Sequence, residues 1–468
     1  MRKIAIVLVA AALFAVPLAA QNVDIESLSG LQFNFGNPGA RSLGMGGAFL
    51  GLADDASAAE ANPAGLTILR KPEVSLEARN YLEEQLFTTT GTFPDIVRTP
   101  FPHHSDRVVV TFASAVLPIK NKFTLGAYFH QPLRNEGGGL VAPQSDPVTG
   151  QVTTQLPNFF LPVKNGNSFG DPISEQQCEA LRNQTNNPFA CLEFRLDPFL
   201  SAVNVRLRTF GLAGAWQIHP KFSIGATVRH QRFVERAATV RFTQSFQTSS
   251  IAIQATAKEK NGNVEVGEET DTTFAAGFKW TPTDKISVGG VYKKGPKFVA
   301  PFFFSGAQTN FEFIKAADTT FHIPDIAGLG VSVRPMPALT VNVDAVRVQY
   351  SNLVDDFVAT VADVRNIDAP FGANDVIEMH AGAEYFFSTK IPFALRAGYW
   401  RDPSHSVEWQ GPLNDPSFIA ESMLYPKGNT QNHISVGAGV AWSKFQIDLA
   451  YDTSDQYKVG SISMVTRF

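Results

Sequence analysis

The sequence predicts an all-β protein: a transmembrane antiparallel β-barrel of about 14 strands, with an N-terminal hatch, or plug, inside the lumen. Three observations predict it. From about residue 72 onward apolar residues recur with a period of two, tight turns alternate with long polar connections, and nothing after the first 20 residues reaches the 18 or more consecutive apolar residues of a membrane-spanning helix. A mean hydropathy of −0.04 suits a chain that shows lipid only every second residue.

Taken in order, Arg2 and Lys3 precede an apolar run from Ile4 to Val16, followed by Pro17 and the small residues Ala19 and Ala20. That layout is a secretory signal peptide, residues 1–20, with cleavage expected after Ala20 although Leu18 departs from the small-x-small pattern. No Cys stands at the junction to carry a lipid anchor, so the mature chain is expected to start near Gln21, outside the cytoplasm. Residues 21–71 lack sustained alternation, and Gly44, Gly46, Gly47 and Gly51 permit tight backbone paths against a wall, which suits a compact hatch. Residues 72–468 are the expected barrel.

Its strands read most clearly near the C-terminus. Ile434, Val436, Ala438, Val440 and Trp442 fall on one face, opposite Ser435, Gly437, Gly439, Ala441 and Ser443; then Phe445, Ile447, Leu449 and Tyr451 oppose Gln446, Asp448, Ala450 and Asp452. Burying Asp448 and Asp452 in a dry sandwich core would cost several kcal/mol unless each were paired, so the polar face is expected to be wet and a soluble sandwich is disfavoured. Tight turns are expected at 118–122, 218–221, 282–285, 335–338, 388–391 and 443–444. They alternate with long connections near 91–106, 133–198, 245–268, 302–320, 352–375 and 402–430, plus a short one at 454–456. Short turns on one side and long loops on the other are the layout of an outer-membrane barrel. An even strand count puts both ends on the short-turn side, where the strand starting at Glu73 closes on the one ending at Phe468 and no edge is left open. Phe468, with Met464 and Ile462 on the same face, looks like the terminal strand by which barrel-assembly machinery recognises its clients. Cys178 and Cys191, close together in a polar stretch of an exported chain, are expected to form one loop disulfide.

The segment "PGARSLGMGGAFLGLADDASAAEANPAGL", Pro38 to Leu66, resembles the N-terminal hatch signature of the FadL/TodX family of outer-membrane transporters for hydrophobic compounds. Gly44, Gly46, Gly47, Asp54, Asp55 and the Asn62-Pro63-Ala64 triplet carry that likeness. "FHIPDIAGLGVSVRPMPALTVNVDAVRVQYS", Phe321 to Ser351, is similar to the family's Pro-Asp hairpin, and "LRAGYWRD", Leu395 to Asp402, matches it too; the stretch from Leu133 to Pro198 does not. The resemblance implies capture of a hydrophobic ligand at the extracellular loops, passage to a site against the hatch, and sideways exit into the membrane. The docking of secreted cargo by a barrel of the same fold is the alternative.

Candidate ligand contacts are Phe159, Phe160 and Leu161 in the longest loop, Phe302, Phe303 and Phe304 in another, and Phe33 and Phe35 in the hatch. If the ligand is a fatty acid its carboxylate needs a cation; Lys293, Lys294 and Lys297 stand where a strand enters a loop, and Arg229, Arg334 and Arg396 fall at lumen-facing positions, where carboxylates such as Asp344, Glu378 or Glu384 offer them pairs. A net charge of −4 counts against a nucleic-acid partner. Gly44-Met45-Gly46-Gly47 lacks the preceding strand of a dinucleotide fingerprint, Asp54-Asp55 lacks an EF-hand pattern, and His103-His104 alone makes no zinc site. Gly166-Asn167-Ser168-Phe169-Gly170 spells Gly-x-Ser-x-Gly but sits in a polar loop without a nucleophile elbow. The reading is therefore a monomeric, non-enzymatic channel without cofactor or metal, in contact with outer-membrane lipid and lipopolysaccharide in a Gram-negative-type bacterium.

Overall fold

A computed structural model describes residues 35–92, 95–104, 108–119, 122–141, 144–145, 152–153, 158–164, 168–169, 173–195, 199–242, 248–260, 263–306, 313–353, 371–405, 408–410, 430–455 and 457–468. The expected signal peptide and Phe33 lie outside the described residues.

Fourteen antiparallel strands close into a barrel. They are β1 Glu73–Thr92, β2 Val109–Ile119, β3 Phe123–Val141, β4 Phe199–His219, β5 Phe222–Phe242, β6 Glu269–Thr283, β7 Ile286–Lys293, β8 Ile326–Met336, β9 Leu339–Val348, β10 Val376–Phe387, β11 Phe393–Asp402, β12 Gln431–Trp442, β13 Phe445–Thr453 and β14 Tyr457–Arg467. Closure is made by β1 on β14, in register from Glu73 opposite Arg467 to Glu83 opposite Tyr457. All six tight turns fall where the sequence places them, joining β2 to β3, β4 to β5, β6 to β7, β8 to β9, β10 to β11 and β12 to β13.

The alternation is turned inside out relative to a water-soluble protein. Leu212 is 69% exposed, Ile434 63% and Leu449 54%, while Asp448 is 1% exposed and Asp452 is fully buried. So wide an outward apolar belt would drive association in water and is matched by lipid. The inward face differs from the wet lining expected. Asp452 accepts hydrogen bonds from Trp400 Nε1 (3.1 Å) and Ser435 Oγ (2.5 Å) and lies 2.7 Å from His433 Nδ1; Asp448 lies 2.8 Å from Arg396 Nη2. These carboxylates are sealed by partners, the one condition under which burial is tolerable.

The loop side also departs from expectation in one place. The connection at 91–106 is not irregular: β1 continues to Thr92 and the chain returns as a strand, Asp95–His104, paired antiparallel on Leu82–Thr92. The longest connection holds a helix, Glu175–Thr185, opened by a Ser174/Gln177 capping box and ended by Asn186 in the left-handed region at φ 48°. Cys178 and Cys191 are disulfide-bonded and tie that helix to the strand Cys191–Arg195. Between β7 and β8 the chain leaves the wall as a hairpin, Lys297–Gly306 with Ile314–His322, which pairs instead with Thr248–Ala255. Asp325 braces the departure, accepting from Gly295 N (2.8 Å), Lys294 Nζ (2.9 Å) and Tyr292 Oη (2.7 Å). That is a physical reason for the Pro324-Asp325 pair singled out in the sequence.

Candidate functional site

Residues 37–69 run along the inner wall in strand order. Ala40 N donates to Ser463 Oγ of β14 (3.1 Å), Gly44 lies against Gly437 of β12, and Gly46 against Gly398 and Tyr399 of β11. Phe49 N and Leu50 N then donate to Asp344 Oδ2 of β9 at 2.6 and 2.8 Å. Ser287 Oγ of β7 (2.8 Å) and Lys279 Nζ of β6 (2.6 Å) donate to Gly51 O, and Lys279 Nζ also to Leu52 O. Asn62 Nδ2 donates to Phe278 O of β6 (3.0 Å) and Leu50 O (3.2 Å) while its Oδ1 accepts from Ala64 N (3.2 Å); with Pro63 at the first position it starts the 3-10 turn Pro63–Ile68. Ser223 Oγ of β5 reaches Ala64 O at 2.9 Å.

Two glycines in this path are required by geometry. Gly46 has φ +63°, and a Cβ there would stand 2.9 Å from Tyr399 N and O; Gly47 has φ +78° and would meet His380 Nδ1 at 3.0 Å. The wall answers with its own glycine, since a Cβ on Gly398 would run into Gly46 N.

Two charged clusters fix the segment laterally. Arg41 lies 2.9 Å from Glu384 of β10, 2.6 Å from Asp54 and 3.6 Å from Asp55; Arg396 of β11 shares Glu384 at 2.6 Å and Asp448 at 2.8 Å. Asp54 also reaches Arg334 at 3.5 Å. Burial raises the Asp55 carboxyl despite Arg41, and Ser57 Oγ and N donate to it at 2.5 and 2.9 Å. In the second cluster Glu60, 3% exposed, lies 3.1 Å from Lys293 of β7, 3.2 Å from Arg229 of β5 and 3.7 Å from His130 of β3. Burial pushes the Glu60 carboxyl up, but Arg229 and Lys293 outweigh it and hold it well below the usual carboxylate range. Lys293, expected near a loop entrance to meet a ligand carboxylate, is thus already paired with the hatch. Lys297 is exposed, and its backbone N–H donates to Asp271 at 2.9 Å.

Two cavities flank the segment, and Phe35 lines both. One, of about 500 Å³, is bounded by Gly46, His380, Trp400 and Tyr457; the other, of about 340 Å³, by Glu60, Arg229, Lys293, Leu207 and Ile323, both volumes including the opening to solvent. Phe35 also faces the Tyr350 ring at 6.2 Å. The candidate loop aromatics whose side chains are described lie inside the loops. Phe160 is buried against the Cys178–Cys191 bond, Leu161 is buried beside it in chain, and Phe302 and Phe303 are buried, Phe303 against Ala255. They supply the interior of the loops, because a loop of this length must bury apolar surface of its own to hold a fold. Phe159 and Phe304 pair in backbone register with Phe194 and Ala252. Arg41 was not singled out in the sequence, although its place between two small-residue runs and thirteen residues before Asp54 was a signal. Among the described residues no group of His, Cys, Asp and Glu is arranged to hold a metal.

Among curated proteins, none matches this sequence. Solved structures share the fold at low identity. A FadL homologue of Pseudomonas aeruginosa is 15% identical over 93% of this chain and 99% of that one, with a TM-score of 0.61. The toluene transporter TbuX of Ralstonia pickettii is 14% identical over 93% and 100% with a TM-score of 0.55, and the monoaromatic hydrocarbon channel CymD 16% over 93% and 99% with a TM-score of 0.54. The model of the outer membrane protein transport protein family (OMPP1/FadL/TodX) matches residues 32–452, and this chain, a transport protein of a Gram-negative-type outer membrane, belongs to that family.

Proposed function

We propose that the protein is a channel through which hydrophobic small molecules cross the outer membrane, with residues 21–71 as the hatch and a ligand site at Phe35 between the hatch and the wall. The observation that carries this is the pair of cavities sharing Phe35, each bordered by hatch and wall together. Both are narrow as they stand, so a ligand enters only as Phe35 and the hatch give way. Burying one methylene gains about 0.8 kcal/mol, so an apolar ligand held there is bound without any need for polar recognition. Monoaromatic hydrocarbons, for which two similar barrels are named, and alkanes fit that description. Arg229 and Lys293 oppose the single carboxylate of Glu60, and the surplus cation keeps long-chain fatty acids within the class.

Uptake of labelled toluene, an alkane and oleate by cells bearing the protein, against a deletion strain, tests the proposal. Faster accumulation of at least one compound is expected. Equal uptake across the panel would overturn it, as would a Phe35→Ala variant that folds and transports all three as well as the unaltered protein.

A further inference from the structure

Five of the six tight turns, together with the hatch–barrel junction, carry an exposed cation. Lys122 stands between β2 and β3, Lys221 between β4 and β5, Lys285 between β6 and β7, Lys390 between β10 and β11, Lys444 between β12 and β13, and Lys71 just before β1. The turn from β8 to β9 has no cation of its own; Arg334, within β8, lies 3.5 Å from Asp54. Asp284 is the one acidic residue in these turns. Lys221 Nζ donates to Pro282 O at 2.7 Å across the gap to the next turn, and the ammonium keeps further donors free for other acceptors.

The cations sit beside the lipid belt. Lys122, Lys285, Lys390 and Lys444 are each followed directly by an outward apolar residue, Phe123, Ile286, Ile391 and Phe445, all of them well exposed. A lysine in that position lays its methylene stem along the apolar band and carries its ammonium to the level of the lipid headgroups. The long loops at the opposite end carry more Asp and Glu than Lys and Arg, so the positive ring belongs to one rim.

We infer that the short-turn rim is a binding ring for the phosphate headgroups of anionic phospholipids in the inner leaflet, several lipids being held around the barrel at once. The inference rests on the short turns facing the periplasm, and not on which ligand is conducted. The spread of the lysines around the circumference favours lipid over a protein partner, which would need them on one side. Adjacency to Phe123, Ile286, Ile391 and Phe445 favours it again, because a protein docking from the periplasm would meet charges away from the acyl belt. Electrostatic attraction of one lysine to an anionic surface corresponds to about a fivefold local enrichment.

The test uses the full mature protein in vesicles of phosphatidylcholine containing a minority of phosphatidylglycerol. After extraction in mild detergent, the retained lipids are counted by native mass spectrometry. Phosphatidylglycerol should be retained at least about twofold above its bulk share, falling toward that share as salt is raised. A variant with Lys122, Lys221, Lys285, Lys390 and Lys444 changed to Gln should lose the enrichment while keeping its heat-modifiable band, whereas Lys315→Gln in a loop should not. No enrichment in the unaltered protein would overturn the inference, as would enrichment equal in both proteins. Salt-sensitive capture of an acidic periplasmic protein without lipid enrichment would also overturn it. If the quintuple variant fails to fold, the pairwise changes Lys122/Lys285 and Lys390/Lys444 carry the same comparison, each expected to lose part of the enrichment.

Discussion

Replacing Glu60 by Gln tests how the hatch is held. The carboxylate is 3% exposed and sits 3.1 Å from Lys293 and 3.2 Å from Arg229, so Gln would keep the shape while leaving two buried cations without a counter-charge. Breaking a buried pair in this way costs about 3–5 kcal/mol. The barrel itself is held by its strand ladder, so the loss should fall on the hatch and raise its local opening by about a hundredfold or more. Hydrogen exchange of the Ala58–Ala61 amides reads that opening, and planar-bilayer conductance reads its consequence for small ions. A second change, Lys293→Met added to Glu60→Gln, removes one of the two stranded cations and should recover part of the protection. Exchange within about threefold of the unaltered protein, with unchanged conductance, would refute the assignment of Glu60 as a hatch anchor. A second change with no effect would show that Lys293 is not its partner.

The glycine contact predicts a different separation of effects. Gly398→Ala drives a methyl into Gly46 N, and overpacking of about 1–3 kcal/mol should raise ion leakage while the heat-modifiable band of the barrel persists. With His130, which faces Glu60, replaced by Gln, hatch protection should hold or rise between pH 7 and pH 5. The depressed Glu60 carboxyl contributes stability above its unfolded value near 4.5 and loses it only as pH falls through the lower folded value; the raised Asp55 carboxyl adds stability as pH falls. Hydrogen exchange corrected for intrinsic rate at the two pH values checks this, and a tenfold loss of protection at pH 5 would contradict it. Changing Cys178 and Cys191 to Ser should cost the long loop roughly 3 kcal/mol, seen as proteolysis within 173–195 while the barrel stays intact.

Much of the barrel was legible because a strand seen by two environments must alternate, and Ile434 to Trp442 alternates without a break. The turns were legible for a similar reason, since Pro, Gly, Asn and Lys clusters interrupt the apolar period. Two things were not. Asp448 and Asp452 read as wet, because a sequence displays a carboxylate but not the Arg396, His433 and Trp400 that strand pairing brings to it from 19 to 52 residues away. The burial of the loop aromatics was not legible either, because a Phe cluster in a polar stretch has the same appearance whether it lines a groove or fills the inside of a small folded loop. Phe160 turned inward because the disulfide and the helix Glu175–Thr185 together supply a core for it to fill.

The hatch is held by two unlike seams. Toward β2, β3 and β4, Leu52, Ala53, Ala56, Ala59, Leu66 and Leu69 form one apolar cluster with Phe112, Val116, Tyr128, Ala213 and Ala215. Toward β9 to β11 the contacts are ionic and hydrogen-bonded, through Asp344 and through Glu384, which Arg396 backs from the wall, while Ala40 and Leu43 pack on Ala450, Tyr457 and Val459 of β13 and β14. Parting the first seam exposes apolar area at about 25 cal/mol per Å², with nothing returned. Parting the second returns carboxylates and guanidinium groups to water, whose hydration offsets most of the lost attraction. The ionic seam is therefore the one that can yield, and the apolar seam the one that keeps the segment attached. A ligand burying about five methylenes beside Phe35 gains about 4 kcal/mol. That is enough to part an ion pair whose groups regain their hydration, and far short of what would be needed to free the apolar side. Ligand binding of that size can shift the hatch on its ionic flank without expelling it from the barrel.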